Sequence, residues 1–550
     1  MYTADPDKTP EWEEKTDPKW KKIKDWFYRI FLSDVRIVRI QIAKLIVRSL
    51  ILVAFFLFWV EALYTGSGVV HEFAEPVQWL AAIVGCITIL FGGIVTDTLI
   101  EKHGVFEKFA LVAVAPLLVL IYTSYEPVLI AAILVLSVLL GFLLILFFTG
   151  LLINTTMLNR ARVIVLLVTI MAIFTGPVIA MLVVTQTQFI IWIIILVLGT
   201  GSLAISKKYP RRFTPHVQPF MRKLSLRGYF RIISESNLIR HAVFLFFITF
   251  TLGYHTVTAI ASIQESTEYW VFGIAAFASL PLIATVFDNF GRKPLVYAML
   301  ALVGIFAIFY DLPGVEATPV RIVRIGVYGF SVMLTLTYAV VLAGDLSSSF
   351  SRGRITGILL FTVILGAILG VMMGNGFDSH SATPILRTEI SDWTSITTLV
   401  ATFLFITTRE LLQAGTTNWR NHLIRLHVIM ENGLSLVFKE FKKRRSGDCN
   451  DTMEDLETGA LSGLQSLLQE IASSKKRLRV LDHGDTFLIF HHGTSSTAVL
   501  FVEKNLVIYR EKLANFHLQF ESINGDVIKD NFVNLEEIKH VDWLIEHYFT

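Results

Sequence analysis

The chain has 550 residues, of which 54% are hydrophobic and 17% charged, with 42 Phe and two Cys. Soluble proteins carry about 25% charged residues, so this composition excludes a string of ordinary soluble domains, and two cysteines exclude a disulfide-built scaffold. The net charge of +3 says little, because in a membrane protein the placement of charge carries the information.

Residues 1–45 are polar and rich in Lys and Arg, without the apolar run and small-residue cleavage site of a secretory signal. The first membrane helix is expected to serve as its own insertion signal. Within this segment Trp20, Ile23, Trp26, Phe27, Ile30 and Phe31 recur at helical spacing opposite Lys and Arg. Such a helix lies in the inner membrane interface or packs on the protein itself.

A run of about 20 apolar residues spans the hydrocarbon core. By that measure spans are expected at 46–64, 77–96, 108–124, 127–151, 162–185 and 188–205, then at 241–263, 269–287, 294–310, 322–343, 355–375 and 393–409. The predicted fold class is an all-α polytopic membrane protein of two six-helix halves, 46–205 and 241–410, joined by a basic loop at 206–240. Alternate connections are rich in Lys and Arg: Lys102 and Lys108, Arg160 and Arg162, Arg292 and Lys293, Arg352 and Arg354. The intervening turns have almost none, with Glu72 and Glu75 in the first of them. The positive-inside rule then puts both termini in the cytoplasm of a cell-membrane protein.

The two halves repeat each other. Asp97 and Asp288, at the inner ends of spans two and eight, are 191 positions apart; Asn154 and Asp345 share that offset, and Arg160 and Arg352 are 192 apart. Concordant offsets at matching topological positions imply a duplication. The turn Asp288-Asn-Phe-Gly291-Arg292-Lys293 resembles the signature turn of the major facilitator superfamily between spans two and three, here between eight and nine. Arg352-Gly-Arg354-Ile-Thr-Gly357 is similar to that family's basic turn between spans ten and eleven. The first-half copy, Asp97-Thr-Leu-Ile-Glu101-Lys102-His103-Gly104, departs from the pattern. The resemblance implies a twelve-helix transporter working by alternating access, with a cavity lined by spans one, four, seven and ten.

The chemistry of these turns can also be derived directly. An aspartate at a helix end can cap the positive N-terminus of a neighbouring helix. Gly291 permits a reversal with positive φ, and Arg292 and Lys293 can pair with acids or lipid phosphates. Asp97, Asp288, Gly291, Arg292, Lys293, Asp345, Arg352 and Arg354 are therefore the expected gating residues.

Charge inside the membrane is costly and marks function by default, and this chain has little of it. The substrate or coupling candidates are Glu61 near the end of span one, His255 in span seven, and Arg324, Tyr328 and Tyr338 in span ten. Either one of Glu61, His255 and Arg324 couples transport, or the carrier is uncoupled, or its solute is lipophilic. Gly176-Pro177 faintly resembles a motif of drug antiporters, and Gly366, Gly370 and Gly374 mark a close helix-packing face. There is no phosphate-binding loop, metal-spaced Cys/His cluster or acid–base–nucleophile set, so no cofactor, metal or enzymatic activity is expected.

Residues 411–452 read as a basic juxtamembrane linker, and 453–550 as a small soluble α/β domain of order α-β-β-β-α-α. Its strands are expected at 478–482, 486–491 and 497–502, with Gly484-Asp485 in a turn, and its helices at 453–472, 506–523 and 534–548. His491-His492 ends a strand and reads as solvent-facing. The order, with Arg510, Leu513, Phe516, Phe520 and Glu521 along one helix, resembles longin/roadblock-like modules, which implies a protein partner, such as a small GTPase, or dimerisation. The expected function is a transporter of a small solute; the rival is a membrane sensor or scaffold that signals through 453–550. Membrane lipids are the other expected partner, and nucleic acid is not one.

Overall fold

The computed structural model describes residues 39–64, 75–99, 104–123, 125–155, 159–170, 236–261, 266–308, 318–347, 351–378, 384–408, 416–430, 434–442, 478–528 and 540–549, with isolated positions at 197–201, 459–463 and 538. The interfacial helix at 20–31, Gly176-Pro177, nearly all of span six and most of the loop 206–240 lie outside the described residues, as does most of the helix expected at 453–472. The chain divides into a membrane unit, essentially residues 1–410, and a C-terminal unit, essentially 411–550.

In the first half of the membrane unit, helices α1 (Arg39–Tyr64), α2 (Glu75–Leu99), α3 (Val105–Tyr122) and α4 (Glu126–Ile153) match spans one to four, and α5 covers 160–170. The second half holds α6 (Ser236–Ala261), α7 (Ser266–Ala278), α8 (Leu280–Asn289), α9 (Lys293–Ile308), α10 (Thr318–Leu346), α11 (Arg352–Asp378) and α12 (Pro384–Thr407). Apolar side chains with internally satisfied backbones make helices the stable choice in lipid. Among the described residues, eight helices are long and apolar enough to cross a membrane. Span eight is split into α7 and α8 at Ser279, because Pro281 lacks an N–H and its ring crowds the preceding turn.

Small residues set the packing distances. A Cβ on Gly141 of α4 would meet the Gly85 carbonyl oxygen of α2 at 2.9 Å. Gly370 of α11 lies against the backbone of α6 around Phe250 and Tyr254, and Gly366 against Phe246, as the glycine spacing of span eleven leads one to expect. Gly253 of α6 answers them, its absent Cβ falling 2.6 Å from the Ala367 carbonyl. Helix α11 also packs on α2 and α4 of the other half.

The C-terminal unit is built on a five-stranded antiparallel sheet of order β2-β1-β5-β4-β3, formed by β1 (Leu423–Met430), β2 (Ser435–Glu440), β3 (Val480–His483), β4 (Thr486–His492) and β5 (Ser496–Val502). The three expected strands are present, but β1 and β2 correct the reading of 411–452 as a linker. Their basic flanks, Arg425 and Lys439 among them, hid a buried set of Leu423, Leu426, Val428, Leu436 and Val437. The turn Gly484-Asp485 joins β3 to β4, with Gly484 at φ 70°, as two-residue hairpin turns require. Helix α13 (Val507–Ile528) buries Tyr509, Leu513, Phe516 and Phe520. Helix α14 (Val541–Phe549) buries Leu544, Ile545 and Phe549 while Trp543 is exposed.

The histidines at the end of β4 are not solvent-facing as expected. His492 engages Thr497 Oγ1 at 3.1 Å and the Leu478 carbonyl at 2.6 Å. His491 begins a hydrogen-bonded chain: His491 Nδ1 to His517 Nδ1 (2.9 Å), His517 Nε2 to Ser496 Oγ (2.8 Å), Ser496 Oγ to Glu521 Oε1 (2.9 Å). Glu521 also accepts from the backbone N–H groups of Thr494, Ser495 and Ser496. Burial opposes its charge, but those donors outweigh it and hold the carboxyl below its ordinary range. Burial pushes His517 down to about 4.

Two predictions follow from this packing. Gly253→Val is expected to destabilise the membrane unit by about 1–3 kcal/mol, read as a lower melting temperature of the purified protein in detergent. The unfolded C-terminal unit protonates His517 near pH 6.5 and the folded unit only near 4, so stability falls as pH drops through that interval. The loss between about pH 7 and about pH 5 is expected to be about 2 kcal/mol. Hydrogen exchange of α13 in the whole chain, corrected for intrinsic rates, measures it, and His517→Gln should flatten the dependence.

Candidate functional site

Among the described residues of the membrane unit, the most highly charged buried cluster sits at one end of the bundle, where the basic turns meet. Asp288, at the end of α8, is fully buried. Its Oδ2 accepts from the backbone N–H of Arg162 (3.0 Å) and from Arg162 Nε (3.2 Å), and its Oδ1 from the Ala161 N–H (3.4 Å) and Arg292 Nη1 (2.9 Å). A carboxylate of the second half thus caps the N-terminus of α5 in the first half, where helix dipole and free N–H groups favour negative charge.

The reciprocal cap is also formed. Asp97 of α2 accepts from the N–H groups of Gly353 (2.6 Å) and Arg354 (3.3 Å) at the start of α11, and Arg354 Nε lies 3.5 Å from its Oδ2. The degenerate first-half turn therefore keeps the aspartate's contact although it lacks the rest of the pattern. Gly353 is required there: a Cβ would fall 2.5 Å from the Gly93 carbonyl and 2.6 Å from Asp97 Oδ1.

Asp345 joins the two sets. It pairs with Arg160 across the halves and with Arg292 Nε at 3.1 Å. Arg292 also donates to the Phe287 carbonyl, which closes the turn below it. Gly291 has φ 104°, the left-handed geometry its position in the turn demands. Lys293 donates to the Thr408 carbonyl and lies over the rings of Tyr297 and Phe405. Arg352 opens α11 with its side chain half-buried. The repeat is imperfect at one place: Asn154, the counterpart of Asp345, bonds to its own helix at the Gly150 carbonyl (2.7 Å).

The substrate candidates divide into separate places. His255 of α6 stacks on Tyr328 of α10, with ring centroids 5.4 Å apart and planes 7° from parallel. Arg324 lies one helical turn from Tyr328, close enough for its charge to act on the imidazole, and all three side chains are buried. Tyr338 is elsewhere, about 15 Å along α10. Its hydroxyl meets His241 Nδ1 at 3.1 Å, and its ring packs edge-on to Phe244, Phe287 and Phe405. Glu61 belongs to α1, but its side chain lies outside the described residues.

Sequence reading missed two features. Arg160 and Arg162 were visible as repeat landmarks, yet their role as partners of Asp345 and Asp288 needed the fold. Glu107 of α3, fully buried, accepts from Arg48 Nε (2.9 Å) and Nη2 (2.6 Å) of α1; nothing in the spacing marked a pair 59 positions apart.

No sequence-family model matches the chain, and no curated protein matches it. Solved structures do. A bacterial homologue of the iron transporter ferroportin, in an outward-facing state, is similar at 13% identity and a TM-score of 0.51, covering 67% of this chain and 99% of that one. The human organic anion transporter MFSD10 (TETRAN) is similar at 13% identity and a TM-score of 0.50, with the same coverage. At this identity the likeness is one of fold. The membrane unit shares the fold of these two transporters, and the chain is a multi-pass membrane protein.

Asp288→Asn removes the charge that two guanidinium groups share, and breaking such a buried pairing costs about 3 kcal/mol. In a chain with Cys86 and Cys449 replaced and a cysteine placed at the buried Thr96, thiol labelling is expected to rise at least about tenfold. Asp97→Asn is expected to do less, since its side chain is 10% exposed.

Proposed function

We propose that the protein is a secondary or facilitative transporter that moves a small solute by alternating access between two six-helix halves. The observation that carries this reading is the reciprocal capping at the basic end, Asp97 on α11 and Asp288 on α5. Contacts made wholly between the halves are available in one packing of the bundle and lost in the other, so they bias a two-state equilibrium. The excess of Lys and Arg supports a cytoplasmic location for this end and for both termini. The state described is then closed to the cytoplasm, with His255, Tyr328 and Arg324 on the outer side of the closure as its solute site. Twelve spans remain the expected count, in a cell membrane.

The second reading is a sensor or scaffold that uses the same fold. What favours it is a C-terminal unit with its own five-stranded sheet and helices, which supports a longin/roadblock-like partner-binding role.

Gly93 and Gly357 provide a test. A Cβ on Gly357 would lie 3.3 Å from the Gly93 Cα across the halves, within reach of a disulfide. With the native cysteines replaced, Gly93→Cys/Gly357→Cys is expected to lose solute flux in proteoliposomes on oxidation and regain it on reduction. Undiminished flux in a fully cross-linked sample would refute alternating access at this face. A folded wild-type protein without flux, whose C-terminal unit captures a protein partner, would favour the sensor.

A further inference from the structure

Helix α10 carries a buried polar stripe. Arg324, Tyr328, Ser331, Thr335 and Tyr338 follow one another at spacings of three and four residues, so they share one face. At its Tyr338 end the stripe meets His241 of α6, which is 1% exposed. One ring nitrogen, Nδ1, lies 3.1 Å from the Tyr338 hydroxyl. The other, Nε2, is buried with no hydrogen-bond partner among the described residues. Each imidazole nitrogen is a donor or an acceptor in every protonation state, so this ring is only half satisfied. An ionisable group within a span marks function by default.

The charged groups around His241 come from several helices. The charge of Lys293 of α9 reaches the imidazole. Arg240, beside it on α6, donates to the Thr407 carbonyl of α12 (3.1 Å). Phe405 of α12 packs on Phe244 and Tyr338, and Tyr297 of α9 packs on Phe405. Helix α8 sets Phe287 against Tyr338, while its neighbour Asp288 is held by Arg162 and Arg292. Asp345 of α10 is held by Arg160 and Arg292. On α11, Gly366 meets Phe246 and Gly370 meets Phe250, a register that sets 359–363 level with His241. That stretch carries no charge, and Arg354 lies about 10 Å nearer the basic end.

On the reading of the bundle as an alternating-access carrier, we infer that His241 is its proton-binding residue, taking up a proton as the closure at the basic end opens. A proton added to the ring gives it a second N–H donor and a full charge beside Lys293. In the closed packing no described group is bonded to Nε2. Water that enters when Asp97 and Asp288 release the opposite half supplies the acceptors. Opening and protonation therefore favour each other, and histidine is the side chain whose charge changes across physiological pH. With the proton taken only in the opened packing, at the ordinary imidazole value of about 6.5, a fall from about pH 7.5 to about 5.5 raises the open fraction about tenfold.

Cys86 reports the opening at the same depth. Its buried thiol donates across the halves to the carbonyl of Phe361 (3.7 Å), the α11 residue level with His241. The full-length chain with Cys449 replaced is labelled in detergent with a water-soluble maleimide, and each rate is divided by that of glutathione at the same pH. The normalised rate is expected to be about tenfold higher at about pH 5.5 than at about pH 7.5, and to change less than about twofold in His241→Gln. His241→Asn serves if His241→Gln does not fold. Equal normalised rates at the two pH values in the otherwise wild-type chain, or a rise that persists in the histidine variants, overturn the inference and leave alternating access standing. Oxidising the Gly93→Cys/Gly357→Cys pair in the same background is expected to abolish Cys86 labelling at both pH values. Labelling that persists in a fully cross-linked sample overturns alternating access at this face, and with it the opening to which the proton is linked.

Discussion

The membrane unit depends on a shared burial of charge between its halves. Asp288 is wholly withdrawn from water, a state that is tolerable only because Arg162, Arg292 and the first N–H groups of α5 surround it. Each ion here would cost several kcal/mol alone, and the group is stable only as a set. Part of the set comes from each half of the membrane unit. The halves therefore cannot part at this end without hydrating the carboxylate, and the barrier and reversibility of that event set what the fold can do.

The closure is not symmetric. Asp288, Asp345, Arg160, Arg162 and Arg292 form one continuous buried group, whereas on the duplicated side Asp97 caps α11 at Gly353 and Arg354. Asn154 stands where an acid would extend that side and turns back to its own helix instead. One flank of the closure is thus held by several charges and the other by a cap and close glycine packing.

Much of this was legible in the sequence, for identifiable reasons. Spans are set by hydropathy and by the thickness of lipid, which tertiary context does not override. The Asp and Arg landmarks could be paired because the duplication gives two copies at one offset. Gly291 and Gly484 were readable because positive φ leaves few alternatives. What stayed hidden was chosen by three-dimensional neighbours. Strands β1 and β2 were masked by basic residues on their exposed faces. His491 looked like a solvated strand end until α13 brought His517 beside it. Tyr328 and Tyr338 are the same residue type on the same helix face, and only the fold separates one beside His255 from one within an aromatic cluster.

The polar face of α10 has one more consequence. Asp345 continues the stripe that begins at Arg324, twenty-one positions away, so a cation and an anion mark the two ends of a single rod about 31 Å long. A helix transmits axial rotation with little loss. A turn of α10 that re-aims Arg324 must also swing Asp345 out of line with Arg160 and Arg292. On the proposed transport reading, the rod links the Arg324 end of α10 to the fastening of Asp345 at the other end, as a camshaft would.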